Sequence, residues 1–128
     1  MNENEIAFGR FIEERRKALG FTLRGFAAEL EIAPAYMSDI EKGRRYPPDK
    51  KLDDIARLLN LHGADKDRLL DLAAMTKVKT VSSDLPEYIM EKDKARVALR
   101  LARKVDLSDD GWQEVIDLIN SKGDGQPD

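Results

Sequence analysis

The stretch FTLRGFAAELEIAPAYMSDIEKGRRYPP, residues 21–48, decides the fold of this 128-residue chain. Thr22 is a favourable helix-capping residue, and the apolar side chains after it recur at the spacing of one helix face, at Leu23, Phe26, Ala27 and Leu30. A tight connection is expected at residues 31–33. A second short helix can then run from Pro34 to Gly43, because proline suits a helix start and glycine a helix end.

Three further helices are predicted around this pair. Their apolar residues recur at helical spacing over residues 6–19, 49–59 and 65–75. A helix, a short turn, a second helix and a basic exit form the layout of a helix-turn-helix motif, whose second helix enters the major groove of DNA. The sequence therefore predicts an all-α chain that begins with a five-helix domain over residues 1–76.

Five landmarks in this region carry a resemblance to a known family. They are RKALGFT (16–22), FA (26–27), YMSDIEKG (36–43), PP (47–48) and LDDIARLL (52–59). In these residues the chain resembles the Cro/phage-repressor (XRE) family of helix-turn-helix regulators, over roughly residues 5–61. The resemblance implies a lambda-repressor-like DNA-binding domain that binds double-stranded operator DNA as a homodimer and usually represses transcription.

The resemblance also implies an ion pair between the first and third helices. In the family, a glutamate of the recognition helix pairs with an arginine of the first helix, and the matching residues here are Glu41 and Arg16. We expect this pair to be partly buried, because Glu41 lies beside the apolar residues Met37 and Ile40. Two solvated surface charges are the alternative.

Base reading is assigned by the resemblance to the first part of the recognition helix. The matching positions are Pro34, Ala35, Tyr36, Ser38 and Asp39. Pro34 offers no side-chain hydrogen bond, and Ala35 can make only an apolar contact, for instance with a thymine methyl. Asp39 can accept a hydrogen bond from a cytosine amino group. Tyr36 is either a base contact or a partly buried packing residue.

Candidates for phosphate binding surround these positions. They are the Thr22 cap and the basic side chains of the motif, namely Thr22, Arg24, Lys42, Arg44, Arg45, Lys50 and Lys51. Basic side chains and helix N-termini are common phosphate ligands in DNA complexes. A solvated basic surface with no ligand is the alternative.

The second half of the chain is predicted to be a helical extension, over residues 77–121, that serves dimerisation or partner binding. Residues 76–83 are polar and β-branched, which favours a linker, although a short strand fits the same composition. A helical segment that can be broken near Asp93 follows at residues 85–105, and Ser108 can cap a last helix. Residues 122–128 are expected to be a disordered tail.

Two faces of the extension are candidates for interactions. The last helix has an apolar stripe that either packs into the core or meets a second subunit, at Trp112, Val115, Ile116 and Ile119. On the preceding helix Arg96, Arg100 and Arg103 share one face. We interpret that face as the outer side of a core-facing helix, with a second DNA contact or an acidic protein partner as alternatives.

Composition narrows the classes of function. The chain has no cysteine and one histidine, His62, which excludes thiol catalysis and a histidine metal cluster. No cofactor is expected, and an enzyme is the weakest class. The net charge is −3, with 11 Lys/Arg against 11 Asp/Glu in residues 1–60, so DNA contacts must come from a local patch.

No apolar run reaches membrane-spanning length, which predicts a cytoplasmic protein that does not bind membranes. The alternative to an operator-binding repressor is an antitoxin or a partner-controlled regulator of a mobile element. In that case the C-terminal half would bind another protein, such as a toxin or a regulatory protease.

Overall fold

The computed structural model describes residues 3–46, 48–77 and 80–123. The regular secondary structure in those ranges consists of α-helices and a turn of 3-10 helix. No strand occurs in those ranges, so the all-α prediction is confirmed. The chain divides into two compact units, Met1–Pro86 and Glu87–Asp128.

In the described part of the first unit, five α-helices build the domain, as the sequence predicted. They are α1 (Glu3–Ala18), α2 (Leu23–Glu29), α3 (Pro34–Glu41), α4 (Leu52–Leu58) and α5 (Gly63–Met75), with one turn of 3-10 helix at Asp49–Lys51 before α4. Helix α1 packs against α3 and α5, while α2 packs against α3. Helix α1 therefore supports the α2–α3 pair from behind.

The core of the first unit is built from the apolar faces of these helices. Its largest fully buried side chains are Phe8, Ile12, Phe26, Leu30, Met37, Ile40, Ile55 and Leu69. Burying one such side chain contributes about 1.5–3 kcal/mol. Because α2 and α3 are only 7 and 8 residues long, they depend on these tertiary contacts rather than on intrinsic helix propensity.

The helix ends around the turn are set by local chemistry. The Thr22 hydroxyl accepts a hydrogen bond from the backbone N–H of Gly25 at 3.0 Å, which caps α2. Ala33 precedes α3 and provides no side-chain cap. Between them, Glu31 has a φ of 59°, in the left-handed region that glycine usually occupies. A non-glycine residue pays about 1–2 kcal/mol for that conformation.

The segment predicted as a linker, residues 76–83, lies within the first unit. Thr76 and Ser82 are both buried. The Ser82 hydroxyl donates a hydrogen bond to the carboxylate of Asp71 on α5. Residues 78 and 79 lie outside the described residues. The described ends of this segment are therefore attached to the five-helix domain.

Three helices follow, namely α6 (Pro86–Glu91), α7 (Asp93–Val105) and α8 (Asp109–Gly123). The Ser108 hydroxyl accepts a hydrogen bond from the N–H of Gly111 at 3.0 Å, so the predicted cap of the last helix is confirmed. Of the predicted disordered tail, residues 122 and 123 belong to α8, and residues 124–128 lie outside the described residues.

Arg96 spans the break between α6 and α7. Its guanidinium donates to the backbone carbonyl of Ile89 at 3.1 Å and to that of Met90, and it pairs with Asp93. The last carbonyls of a helix lack partners within the helix. Arg96 therefore satisfies the end of α6 from the start of α7, so this residue of the face shared by Arg96, Arg100 and Arg103 has a structural role.

The apolar face of α7 does not face a core, contrary to our interpretation of the sequence. Val97, Leu101 and Val105 are 53%, 56% and 70% exposed. In the described part of the second unit, residues 87–123, no residue is buried. The physical reason is size, because a unit of about forty residues cannot cover the apolar faces of its own helices.

Candidate nucleic-acid interface

The α2–α3 pair is held to α1 by a buried ion pair. Arg16 Nε donates to Glu41 Oε2 at 2.6 Å, and Arg16 Nη2 donates to Glu41 Oε1 at 3.0 Å. Arg16 Nη1 also donates to the carbonyl of Phe21 at 2.8 Å. The side chains of Arg16 and Glu41 are only 8% and 4% exposed. The guanidinium therefore joins α1, the end of α3 and the loop before α2.

The electrostatics of Arg16 follow from these contacts. The hydrogen bonds to Glu41 raise the pKa of Arg16 above its ordinary value, while burial opposes that rise. A two-pronged arginine–carboxylate contact fixes direction as well as distance. The pair consequently sets the orientation of α3, which is the helix predicted to enter the major groove.

A glycine in α1 sets how closely α1 and α3 approach. A Cβ atom on Gly9 would lie 2.4 Å from the carbonyl oxygen of Glu41 and 2.5 Å from that of Ile40. No real side chain fits those distances, so α3 ends directly on the surface of α1 at Gly9. Gly9 was not among the residues predicted from the sequence. The sequence feature that could have indicated this close contact is an isolated glycine within an otherwise helical pattern.

The predicted base-reading residues occupy the exposed side of α3 to different degrees. Ala35 is exposed, whereas Ser38 and Asp39 are half-buried. Tyr36 is also half-buried and packs against the core of the first unit. Pro34 is the first residue of α3 and contributes no donor. Among these positions, the side chains that can form hydrogen bonds with bases are those of Tyr36, Ser38 and Asp39.

Arg45 comes together with two of these residues. Its Nε lies 3.6 Å from Asp39 Oδ2, and its Cζ lies 4.9 Å from the centroid of the Tyr36 ring. The three side chains line an open cavity of about 650 Å³ that is also lined by Glu5, Arg44 and Tyr46. A basic residue assigned to phosphate binding and two residues assigned to base reading therefore form one cluster.

The remaining phosphate-binding candidates are accessible. Thr22, Arg24, Lys42, Arg44 and Lys50 are exposed, and Lys51 is half-buried in the 3-10 turn. The hydroxyl of Thr22 is already used as the α2 cap. Accessible basic side chains on both sides of α3 suit contacts with a polyanionic backbone.

Lys77 also lies in this region, although it was not predicted from the sequence. Its Nζ lies 3.3 Å from Asp49 Oδ2 and 5.7 Å from the centroid of the Tyr46 ring. It follows α5, 28 residues after Asp49 along the chain, so no local pattern could place it here. Because Lys77 offsets the charge of Asp49, the basic character of the loop after α3 is preserved.

The apolar stripe predicted on the last helix lies on α8 in the second unit. Trp112, Ile116 and Ile119 are 38%, 48% and 62% exposed, and Val115 is half-buried.

The described part of the chain has no cluster of histidine, cysteine or acidic residues that could hold a metal ion. Nor does any helix in the described ranges combine the length and the apolar character needed to cross a membrane.

Comparisons with known proteins define the class. The family model described as "Helix-turn-helix domain" matches residues 7–72, which is just over half of the chain. The match includes α2, α3 and the part of α1 that holds Gly9 and Arg16. The chain therefore belongs to the helix-turn-helix family of transcriptional regulators, and the resemblance indicated by the sequence is confirmed.

A curated relative makes the likeness more specific. The chain is 41% identical over 59 residues to an uncharacterized HTH-type transcriptional regulator, YazB, of Bacillus subtilis (strain 168). The match covers 84% of that protein and 46% of this chain. A solved SinR protein/SinI protein complex matches 90% of this chain and 96% of its own at 20% identity and a TM-score of 0.45. A match of that strength carries no argument about function.

Proposed function

We propose that this helix-turn-helix regulator binds a two-fold operator as a homodimer and represses transcription. The observation that carries the proposal is the orientation of α3. Its end is fixed on α1 by the Arg16–Glu41 pair and by the close contact at Gly9. A recognition helix must be held rigidly if its side chains are to meet base edges in the major groove.

Phosphate contacts are the stronger part of the proposal. Arg24, Lys42, Arg44 and Lys50 are exposed on the motif and on the segment that follows it. Each basic side chain that neutralises a phosphate releases counterions, so binding weakens as salt rises. The net charge of −3 keeps general affinity for nucleic acid low, and this local set must supply the attraction.

Dimerisation is the role we propose for the second unit. Two recognition helices reach successive major grooves only when a dimer spaces them about one helical turn apart. The α8 stripe at Trp112, Val115, Ile116 and Ile119 is apolar and largely exposed. A unit too small to cover that stripe by itself is stabilised when a second subunit covers it.

A gel shift with DNA flanking the coding region of this protein tests the DNA-binding part. We expect a specific complex at moderate salt with a dissociation constant of about 10⁻⁸ M or tighter. Replacing Lys42 or Arg44 by alanine should weaken binding to all sequences and reduce the salt slope by about one unit each. Lys17→Ala is the control, because Lys17 is exposed on α1 outside the predicted contact set. Absence of a specific site would refute the proposal.

Sedimentation equilibrium of the full chain tests the dimer. The wild-type chain of 14.5 kDa should sediment as a species of twice that mass. Trp112→Ala should shift it toward the monomer and weaken operator binding in parallel, because the anchor of the apolar stripe is lost. Gln113→Ala, the next residue on α8, is the matched control. A wild-type monomer that binds a two-fold site with full affinity would contradict the dimer.

A second function deserves a test because so much apolar surface is exposed in the second unit. In this second function, the chain is an antitoxin or a partner-controlled regulator, and the α8 stripe binds a different protein instead of a second copy of the chain. Val97, Leu101 and Val105 of α7 give this partner a further apolar surface. Purification from the native cell followed by mass measurement separates the two functions. A one-to-one hetero-complex that Trp112→Ala dissolves supports the partner, while a homodimer alone supports the repressor.

A further inference from the structure

Two side chains of α3 converge on one cation of the following loop. Asp39 approaches the Nε edge of the Arg45 guanidinium at 3.6 Å, and the Tyr36 ring lies under its Cζ at 4.9 Å. The Arg45 side chain remains 56% exposed, and that of Asp39 is 35% exposed. The guanidinium is therefore held by two neighbours while still facing solvent.

The backbone at the start of the loop is also fixed. Gly43 has a φ of 76°, and the N–H of Arg44 donates to the carbonyl of Asp39 at 2.8 Å. This is the hydrogen bond that closes a helix through a left-handed glycine. Arg45 is the next residue, so its side chain leaves from a backbone position that is tied to the recognition helix.

Charge and hydrogen-bonding capacity indicate what this arrangement can bind. A lone carboxylate at Asp39 would be repelled by DNA phosphates, and its pairing with Arg45 offsets that charge. The contact of the carboxylate with the guanidinium is to Nε, at 3.6 Å, and the two terminal amino groups form the end-on fork of the side chain. Such a fork matches the O6 and N7 acceptors of guanine in the major groove.

We propose that Arg45 reads a guanine of the operator, and that Asp39 and Tyr36 are positioning residues that hold its guanidinium for that contact. The proposal rests on the proposed DNA-binding function. It gives Arg45 a different role from the phosphate contact that the sequence predicted. It also accounts for the apolar residues Pro34 and Ala35 at reading positions, since the specific hydrogen bonds come from the loop.

Selection of bound DNA from a random pool tests the proposal with the full-length chain. The wild-type protein should select a half-site with one strongly preferred guanine. Arg45→Lys keeps the charge but loses the fork, and it should lower the preference at that base pair by roughly 5- to 150-fold. Arg57→Lys is the matched control, because Arg57 is an exposed arginine of α4 outside the predicted contact set that also pairs with an aspartate, and it should leave the preference at every base pair unchanged.

Asp39→Asn separates positioning from a merely structural role. Removing the negative charge should increase affinity for all DNA, while the preference for the guanine falls because the guanidinium loses its guide. A purely structural residue would not move these two quantities in opposite directions. If Asp39→Asn leaves the guanine preference intact while Arg45→Lys abolishes it, the positioning role of Asp39 is overturned.

Replacement of the selected guanine by 7-deazaguanine removes the N7 acceptor alone. Wild-type binding should weaken, and binding by Arg45→Lys should not change. If this replacement does not weaken wild-type binding, and Arg45→Lys keeps the wild-type preference for the guanine, the proposal is overturned. Specific DNA binding would still stand in that case. If the folded wild-type chain selects no sequence at all, the proposed function fails and this proposal fails with it.

Discussion

Removing Glu41 should be among the most damaging single changes in the first unit. Glu41→Ala leaves the Arg16 guanidinium 8% exposed without the two hydrogen bonds that it makes to the carboxylate. Breaking a buried pair from one side costs about 3–5 kcal/mol, a large part of the roughly 5–15 kcal/mol that stabilises a typical domain. At about 4 °C or more per kcal/mol for a domain of this size, the melting temperature should fall by about 12 °C or more.

Thermal unfolding followed by circular dichroism at 222 nm measures this loss, and hydrogen exchange in α3 assigns it to the first unit. Glu13→Ala is the matched control, because Glu13 pairs with Lys17 on the surface of α1 and should cost less than about 1 kcal/mol. The double change Arg16→Met with Glu41→Leu should recover most of the loss, since no buried charge remains. A melting temperature for Glu41→Ala within a few degrees of wild type would refute the reasoning.

Three further changes test individual features of the first unit by the same unfolding measurement. Gly9→Ala should destabilise by about 1–3 kcal/mol or more, because the new methyl meets the carbonyl of Glu41 at 2.4 Å and α1 must move away from α3. Glu31→Gly should stabilise by up to about 1 kcal/mol, because the relief of left-handed strain exceeds the entropy that glycine adds to the unfolded chain. Thr22→Ala should cost about 1 kcal/mol, because the N–H of Gly25 loses its cap.

Each of these changes has its own control or contradicting result. Gly123→Ala introduces a methyl with nothing within 4 Å, so it should not destabilise as Gly9→Ala does. Glu29→Gly, within α2, should destabilise by about 1 kcal/mol, in contrast to Glu31→Gly. Equal destabilisation by both glycines would contradict the strain at residue 31. Unchanged stability in Thr22→Ala would contradict the capping role.

Local sequence chemistry predicted the helices and most of their ends. The apolar spacing in residues 21–48 predicted the positions of α2 and α3. Thr22 and Ser108 were predictable as caps, because each side-chain oxygen accepts a hydrogen bond from a backbone N–H only three residues later in the chain. Glu31 was located in the turn, but its left-handed φ was not expected from a glutamate. Tertiary packing on both sides of the turn overrides the local preference there.

Contacts between distant segments were predictable only where the family resemblance supplied them. Arg16 and Glu41 are 25 residues apart, and no periodicity in the sequence pairs them. The close approach at Gly9 and the position of Lys77 beside Asp49 depend on how α1 and α5 pack, which the pattern of apolar residues does not specify. The cluster of Arg45 with Asp39 likewise arises from the path of a loop.

The second unit shows the limit of reading amphipathic patterns. The face of α7 with Val97, Leu101 and Val105 has the period of a core-facing helix, yet all three residues are exposed. Hydrophobic spacing indicates that a face needs a cover, but it does not say which surface provides it. Thr76 and Ser82 in the predicted linker are the opposite case, because these polar residues are buried where hydrogen-bond partners are available. Thr76 donates to the carbonyl of Ala73, and Ser82 donates to the carboxylate of Asp71.

Hydroxyl-radical footprinting of the full-length chain on its selected site tests the central claim most directly. A homodimer with two braced α3 helices predicts two protected patches of backbone, related by two-fold symmetry and centred about 10–10.5 base pairs apart. Glu41→Ala should lose both patches together at temperatures where the first unit unfolds. A single patch would contradict the dimer, and uniform cleavage at moderate salt with a folded protein would contradict operator binding itself.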